Sequence, residues 1–376
     1  MEGMDVLING ITAITLKQLI MWGIGCLLIY LAIVKDFEPT LLLPMGFGAI
    51  LVNIPMSGAL NQVVNGTPIE GILSFLFDGG IATELFPLLI FIGIGAMIDF
   101  GPLLQNPFML LFGAAAQFGI FFTICLATLF GFSLKEAASI GIIGAADGPT
   151  SIFVATQFAK DLLGPISVAA YSYMALVPII QPFAIKLVTT KKERQIRMTY
   201  KASNVSKKTK IIFPILVTLI AGLIAPVSVP LIGFLMFGNL IRECGVLERL
   251  SNTAQNELVN IITILLGITI ASTMTADKFL TWQTLLIMSM GLIAFIADTI
   301  GGVMFAKFLN LFLKEKINPM VGAAGISAFP MSARVIQKMA QKEDNQNFIL
   351  MYAVGANVAG QIGSVIAGGL VLALIH

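Results

Sequence analysis

Apolar runs long enough to cross a bilayer follow one another from residue 19 to residue 375. A membrane-spanning helix takes about 20 mostly apolar residues, so this pattern leaves no stretch for a water-soluble domain. Composition agrees: 57% of the 376 residues are hydrophobic and 11% are charged, where a soluble domain carries about 25% charged residues. A formal net charge of +2 argues against nucleic-acid binding, which calls for a strongly basic face. The opening Met1-Glu2-Gly3-Met4-Asp5 lacks a basic stretch, and no small-residue cleavage site follows the first apolar run, so no removable signal peptide is expected. Cys26, Cys125 and Cys244 lie in or at the edge of apolar runs and read as small buried hydrophobes rather than disulfides or metal ligands. The single histidine is His376, which excludes a histidine metal site or a Ser-His triad within this sequence.

The most polar stretch, 186–210, holds nine Lys and Arg residues against one acid, Glu193. A short loop this basic belongs on the cytoplasmic side of an inner membrane, and a plain solvated linker is compatible with the same residues. It separates a first transmembrane repeat, 1–190, with the linker starting near 186, from a second, 211–376. The halves echo each other. Pro44-Met45-Gly46-Phe47 answers Pro230-Leu231-Ile232-Gly233-Phe234, and Glu84-Leu85 answers Glu257-Leu258. Ile143-Gly144-Ala145-Ala146-Asp147-Gly148-Pro149 answers Ala324-Gly325-Ile326-Ser327-Ala328-Phe329-Pro330, and Tyr173 answers Tyr352. Matches in the same order suggest an internal duplication.

Each half gives about six apolar segments, near 19–34, 40–54, 85–98, 107–131, 137–158 and 165–188, then 211–225, 229–241, 258–275, 281–311, 318–340 and 347–375. The fifth of each set is interrupted by Gly and Pro. If the interrupted segments re-enter, the repeats are inverted; if they cross, the repeats are parallel. Paired broken helices in matching places favour inversion. The expected fold is therefore an all-α polytopic membrane protein of two inverted repeats with broken or re-entrant helices, a core sliding elevator-like against a scaffold.

Asp147 lies inside an apolar segment, between Ile142-Ile143 and Ile152-Phe153-Val154. A lone carboxylate at mid-membrane costs roughly 2.5–3.5 kcal/mol on insertion scales. Gly148-Pro149 follows it, and proline removes a backbone donor, so upstream carbonyls lose their partners. Freed carbonyls beside a carboxylate and the hydroxyls of Thr150 and Ser151 suit a hard cation such as sodium. The alternative is a turn acid at a helix end facing water. The second break supplies Asn318-Pro319, Ser327, Pro330, Ser332 and Arg334. Asn318 and Ser327 offer neutral oxygens. Arg334 cannot ligate a cation but could hold a carboxylate or carbamate in bidentate fashion, or else snorkel to headgroups. Asn357 is an amide in an apolar helix, a cation ligand or an interhelical hydrogen bond. Tyr173 could relay a proton or sit in an interfacial belt. Asp99 reads as a loop acid. Asp298, ahead of Gly301-Gly302, could pair with Lys307, and the double glycine suits close helix packing.

At Gly144-Ala145-Ala146-Asp147-Gly148-Pro149-Thr150-Ser151 the chain resembles the beta subunit of the biotin-dependent sodium-pumping decarboxylases, the family of oxaloacetate, methylmalonyl-CoA, glutaconyl-CoA and malonate decarboxylases. The likeness continues through Phe37-Glu38-Pro39, Ile94-Gly95-Ala96-Met97-Ile98-Asp99-Phe100-Gly101-Pro102, Val177-Pro178-Ile179-Ile180-Gln181-Pro182, Asn252-Thr253-Ala254-Gln255-Asn256-Glu257-Leu258, Pro330-Met331-Ser332-Ala333-Arg334 and Asn357-Val358-Ala359-Gly360. The resemblance implies a translocase subunit that decarboxylates carboxybiotin and exports Na+ with proton uptake. It implies as partners a biotin carrier protein, a carboxyltransferase subunit and a small membrane anchor subunit, with a homo-oligomer, a trimer in the family. By motif position it assigns sodium binding to Asp147, Asn318, Ser327 and Asn357, and proton delivery and carboxybiotin handling to Tyr173 and Arg334, with Ser327 also near the chemistry. Asp298 departs from the small neutral residue expected there. No Ala-Met-Lys-Met type of biotin acceptor is present, so biotin arrives on a partner subunit. The competing reading is a stand-alone secondary transporter, a Na+/H+ antiporter or sodium-coupled anion carrier, which the repeats and broken helices suit equally well.

Overall fold

The computed structural model describes residues 10, 12–64, 67–199 and 204–375. The opening residues, Lys201 and His376, on which parts of the sequence reading fall, lie outside them. Among the described residues the protein is helical apart from one ribbon, in which Gln62–Val64 (β1) and Thr67–Ile69 (β2) pair antiparallel.

Each expected apolar segment is a helix or a pair of helices. The first half runs α1 (Leu16–Lys35), α2 (Pro39–Val52), α3 (Ile72–Leu76), α4 (Leu85–Met97), α5 (Gly101–Gln105), α6 (Leu110–Ala115), α7 (Phe118–Leu129), α8 (Leu134–Gly141), α9 (Gly148–Phe158) and α10 (Leu163–Val188). After a short α11 (Lys191–Arg194) in the linker come α12 (Lys207–Ile224), α13 (Val229–Glu243), α14 (Glu248–Thr253), α15 (Val259–Ile270), α16 (Ala276–Phe279), α17 (Trp282–Phe312), α18 (Met320–Ala323), α19 (Met331–Glu343) and α20 (Leu350–Leu374). A π-turn follows α3 at Phe77–Ile81 and α14 at Ala254–Leu258, the same place in each half. Local chemistry sets the starts: Thr15 with Gln18, Ser133 with Glu136 and Thr190 with Glu193 form capping boxes at α1, α8 and α11, each satisfying N–H groups that a helix start leaves open. Among the described residues six continuous helical stretches are long and apolar enough to cross a membrane (Leu16–Lys35, Pro107–Leu129, Lys160–Val188, Glu248–Thr273, Trp282–Phe312 and Leu350–Leu374), and there are seven if Ile72–Ile81 and Leu85–Met97, bent by 58°, count as one span.

Helix contacts fall into two groups. In one, α2 packs on α1 and α15, and α13 packs on α4 and α12. In the other, α17 packs on α7, α10 and α18, and α20 on α6 and α19. Exchanging the halves reproduces the pattern: α2 meets α15 as α13 meets α4, and α17 meets α10 as α6 meets α20. Sparser contacts join the groups, through α9 on α4 and α20 on the turn Pro226–Ser228. The expectation for the double glycine holds: Gly302 and Gly322 face each other so closely that a Cβ on either would fall on the other's carbonyl.

Polar contacts mark the two ends of the bundle. At the linker end, Arg194 binds Glu343 at 2.7 Å, Arg197 binds Asp344 at 2.6 Å, Lys307 binds Glu193 at 3.0 Å and Lys210 binds Asp99 at 3.3 Å. At the far end, Lys17 binds Asp277 at 2.9 Å, Lys278 binds Asp161 at 3.6 Å, Asn53 donates to Met274 O, and Gln157 donates to Glu84. The 134–158 segment keeps both of its ends at the far end, where Lys135 lies over the Phe158 ring. The 318–343 segment keeps both at the linker end, since Asn318 donates to Arg194 O and Glu343 pairs with the Arg194 side chain. Both are hairpins that dip into the bundle from opposite ends.

One expectation is corrected. Cys26 and Cys125 are exposed and Cys244 is only partly covered. All three are free thiols, but the first two lie on the outer surface of the bundle. An outer surface that meets lipid is as apolar as the core, so hydropathy could not tell one from the other.

Candidate cation site

The hairpins meet at their breaks. After α8, a tight turn at Ile142–Ala145 and a left-handed Ala146 (φ 54°) end the helix, and Asp147 caps the next one with Pro149 in its first turn. The second break spans 324–330, between α18 and α19. The Ser327 N–H donates to Ala145 O at 2.9 Å, so backbone joins backbone across the two breaks.

Asp147 is 3% exposed and Ser327 is 1% exposed, so neither has bulk water to solvate it. Asp147 Oδ1 accepts from Thr150 N at 3.2 Å. Its Oδ2 accepts from Ser364 Oγ at 2.7 Å and from Ser327 Oγ at 3.2 Å. The two hydroxyls are 3.1 Å apart. The start of α9 supplies a partial positive charge that favours an anion at this cap. Three elements therefore converge on one carboxylate: the α9 cap, the second break and the middle of α20. Close approach of α20 requires Gly360, because a Cβ there would strike the Gly325 carbonyl. One carboxylate with clustered hydroxyls fits a monovalent hard cation. Among the described residues there is no group of three or more His, Cys, Asp or Glu side chains that would suit a transition metal.

The remaining expected residues are placed as follows. Asn357 lies on α20 and donates to Ile326 O at 2.6 Å, bracing the second break one residue from Ser327. Asn318 is spent elsewhere: its Nδ2 donates to Arg194 O at 2.8 Å and Ile196 O at 2.9 Å, and its Oδ1 accepts from Met320 N. It therefore fastens the linker to the mouth of the second hairpin, and its hydrogen bonds do not bring it to Asp147. Tyr173 donates its hydroxyl to Met288 O on α17. Arg334 lines a cleft of about 310 Å³ between α10 and α19, with Pro178, Pro182, Lys186, Lys338 and Lys342. The expected Asp298–Lys307 pair does not form, because Lys307 is held by Glu193 and Val188 O while Asp298 accepts from Gly119 N.

Three residues escaped the sequence reading. Ser364 touches the carboxylate, and Gln361 donates to Ser327 O. Asn357, Gln361 and Ser364 are spaced i, i+4, i+7, one face of a helix, and that polar stripe was the available signal. Tyr171 lies against the cap: a Cβ on Gly148 would meet its hydroxyl at 2.6 Å.

Residues 17–375 match the family described as the Na+-transporting oxaloacetate decarboxylase beta subunit. This chain belongs to that family. It is 50% identical to the methylmalonyl-CoA decarboxylase subunit beta of Propionigenium modestum, with 97% of each chain covered. It is 50% identical to the glutaconyl-CoA decarboxylase subunit beta of Acidaminococcus fermentans, over 98% of this chain and 96% of the relative. It is 46% identical to the oxaloacetate decarboxylase beta chain of Klebsiella pneumoniae, over 99% of both. As a beta subunit it is the membrane part of a sodium-transporting decarboxylase, and the stand-alone transporter reading is set aside. The cargo of such a subunit, sodium, fits the donor set around Asp147.

Proposed function

We propose that this chain decarboxylates carboxybiotin presented by a biotin carrier protein and uses that reaction to export Na+, with Asp147, Ser327 and Ser364 as the heart of the ion site. The observation that carries the reading is the convergence of two broken hairpins on one enclosed carboxylate. Asn357 acts on this site by holding the break, and Asn318 by tying the break to the linker. The relatives' names pair this kind of subunit with oxaloacetate and two acyl-CoA donors, which supports a carboxyltransferase partner, not this chain, as the selector of the donor.

Arg334 is the carboxyl-binding group. Its cleft carries four cationic side chains at the linker end against one acid, Glu343, which Arg194 pairs, and that excess of positive charge suits an anionic carboxybiotin head. Loss of CO2 leaves a biotin nitrogen that takes up a proton. Tyr173 can deliver that proton only by giving up its bond to Met288 O, whereas Tyr171 already stands beside the ion site. The basic linker 186–210 lies on the cytoplasmic side of the inner membrane, where the carrier and carboxyltransferase operate.

The two halves, 1–190 and 211–376, are inverted repeats. Supporting this, contacts are exchanged when the halves are swapped, and the hairpins enter from opposite ends. The group around α17 and α20 is the moving core, and the group around α2 and α13 is the scaffold. A small membrane anchor subunit and further copies of the chain, three in total, bind the outer apolar face. The test is decarboxylation of free carboxybiotin by the purified chain with its small subunits. The rate should rise with sodium; a rate indifferent to sodium defeats the reading.

A further inference from the structure

The stretch Val177-Pro178-Ile179-Ile180-Gln181-Pro182 of α10 carries one polar side chain, and it lies between the Arg334 cleft and the ion site. Pro178 and Pro182 line the cleft from α10, and Met331 and Arg334 line it from α19. Gln181 and Ser332, each next in sequence to a lining residue, lie behind those walls and are fully buried. There the Gln181 amide donates to Ser332 Oγ at 2.7 Å and to Ala323 O at 2.8 Å. Ala323 ends α18 and Ser332 stands in the first turn of α19, so this one amide holds both ends of the second break. Inside the break, the Ser327 hydroxyl reaches Asp147 Oδ2 and the Ser327 N–H holds Ala145 O.

We propose that Gln181 is a positioning residue that couples the cleft to the ion site by tying the second break to the α10 wall of the cleft. Both protons of its amide nitrogen are used, one on each end of the break, so a shift of α10 carries Ala323 and Ser332 together. Pro178 and Pro182 lie inside α10 and lack the N–H that a helix interior needs. This stretch of α10 therefore gives more easily than a regular helix when a carboxylated head enters between α10 and α19. The displaced wall moves the break with it, and so moves the Ser327 hydroxyl against Asp147.

Coupling between two sites needs an element that both of them bias. The second break is that element: its ends are held from the cleft wall, and its tip touches the ion site. Among the described residues no other side chain of α10 bonds to the second hairpin. Tyr173 bonds to α17, and the Arg194–Glu343 pair ties the distant end of α19 to the linker.

The assignment of Gln181 rests on the Arg334 cleft and the Asp147 site proposed above, and one experiment separates the two. The complete complex is reconstituted in proteoliposomes, and sodium taken up and CO2 released are both counted. Gln181→Met keeps the length and bulk of the side chain without the amide. Ser332 Oγ, 3.5 Å from Ala323 O, remains as a donor for that carbonyl, so the variant should assemble. It should carry at least about twofold fewer sodium ions per CO2 released than wild type, because a lost hydrogen bond shifts the balance between a tied and an untied break by about that factor or more. A purely structural role would lower sodium uptake and CO2 release in the same proportion, so an unchanged ratio in Gln181→Met overturns the assignment. Release of CO2 by wild type without movement of sodium overturns the underlying reading instead. Should Gln181→Met not assemble, Ser332→Ala, which removes one of the two bonds, decides by the same ratio: a lowered ratio supports the tie, and an unchanged one refutes it.

Discussion

Replacing Ser364 by alanine removes one oxygen from the proposed ion site and nothing else. The hydroxyl is fully enclosed, 2.7 Å from Asp147 Oδ2 and 3.1 Å from both Ser327 Oγ and Gln361 O. A hydrogen bond to a charged group is worth about 1.5–3 kcal/mol, and the space one oxygen leaves is too small for a replacement water. Whether the hydroxyl contacts sodium or fixes the carboxylate that does, its loss should raise the half-saturating sodium concentration about 10- to 100-fold. The α20 packing around Gly360 does not depend on this oxygen, so the protein should remain folded. The assay is the sodium dependence of carboxybiotin decarboxylation by wild type, Ser364→Ala and Ser364→Thr, the last keeping a hydroxyl. A half-saturation within about twofold of wild type in Ser364→Ala would remove α20 from the ion site.

Three further outcomes are expected. Arg334→Lys should lower decarboxylation far more than sodium binding, because lysine lacks the planar fork for a carboxylate; equal losses would make Arg334 a structural residue. A cross-link between cysteines at Glu84 and Gln157, which hydrogen-bond between α4 and α9, should stop transport while leaving sodium binding measurable, and undiminished transport would end the moving-core account. The hydrogen bond from Arg197 holds the Asp344 carboxyl below its ordinary range, so this linker tether is intact above the usual carboxylate range and is lost as pH falls through the lowered value. Limited proteolysis at the linker should therefore accelerate only in acid below that range, and acceleration nearer neutrality would assign the tether to other groups.

Much of this architecture was legible in the sequence because the membrane allows few solutions. Helices of spanning length are forced by the need to satisfy backbone groups in lipid, and interruptions by Gly and Pro at matching places in each half marked the two broken segments without telling whether they cross or re-enter. Asp147 stood out because an acid between isoleucines is costly unless it has a task. Ser327 was legible from its place in the second break. Ser364 was not, since serine is common where membrane helices pack closely and only its spacing from Asn357 distinguishes it. Asn318 carried the right chemistry for a ligand, but hydropathy cannot reveal that its amide faces the Arg194 and Ile196 carbonyls of the linker. Cys26 and Cys125 were misplaced for a related reason, as lipid-facing and core-facing positions share one composition. Asp298 needed a backbone partner to be understood, and Gly119 is 179 residues away in sequence.

The central claim is that a carboxylate held between two broken hairpins carries sodium across the membrane at the expense of decarboxylation. The most direct measurement reconstitutes the complete decarboxylase complex, with wild-type or Asp147→Asn beta subunit, into proteoliposomes and follows sodium accumulation as the carboxylated substrate is consumed. The amide has nearly the shape of the acid and keeps an oxygen for Thr150 N, so the variant should assemble. Sodium accumulation in wild type and none above the leak in Asp147→Asn is the expected result. Substrate-driven accumulation by Asp147→Asn at the wild-type rate would contradict the account.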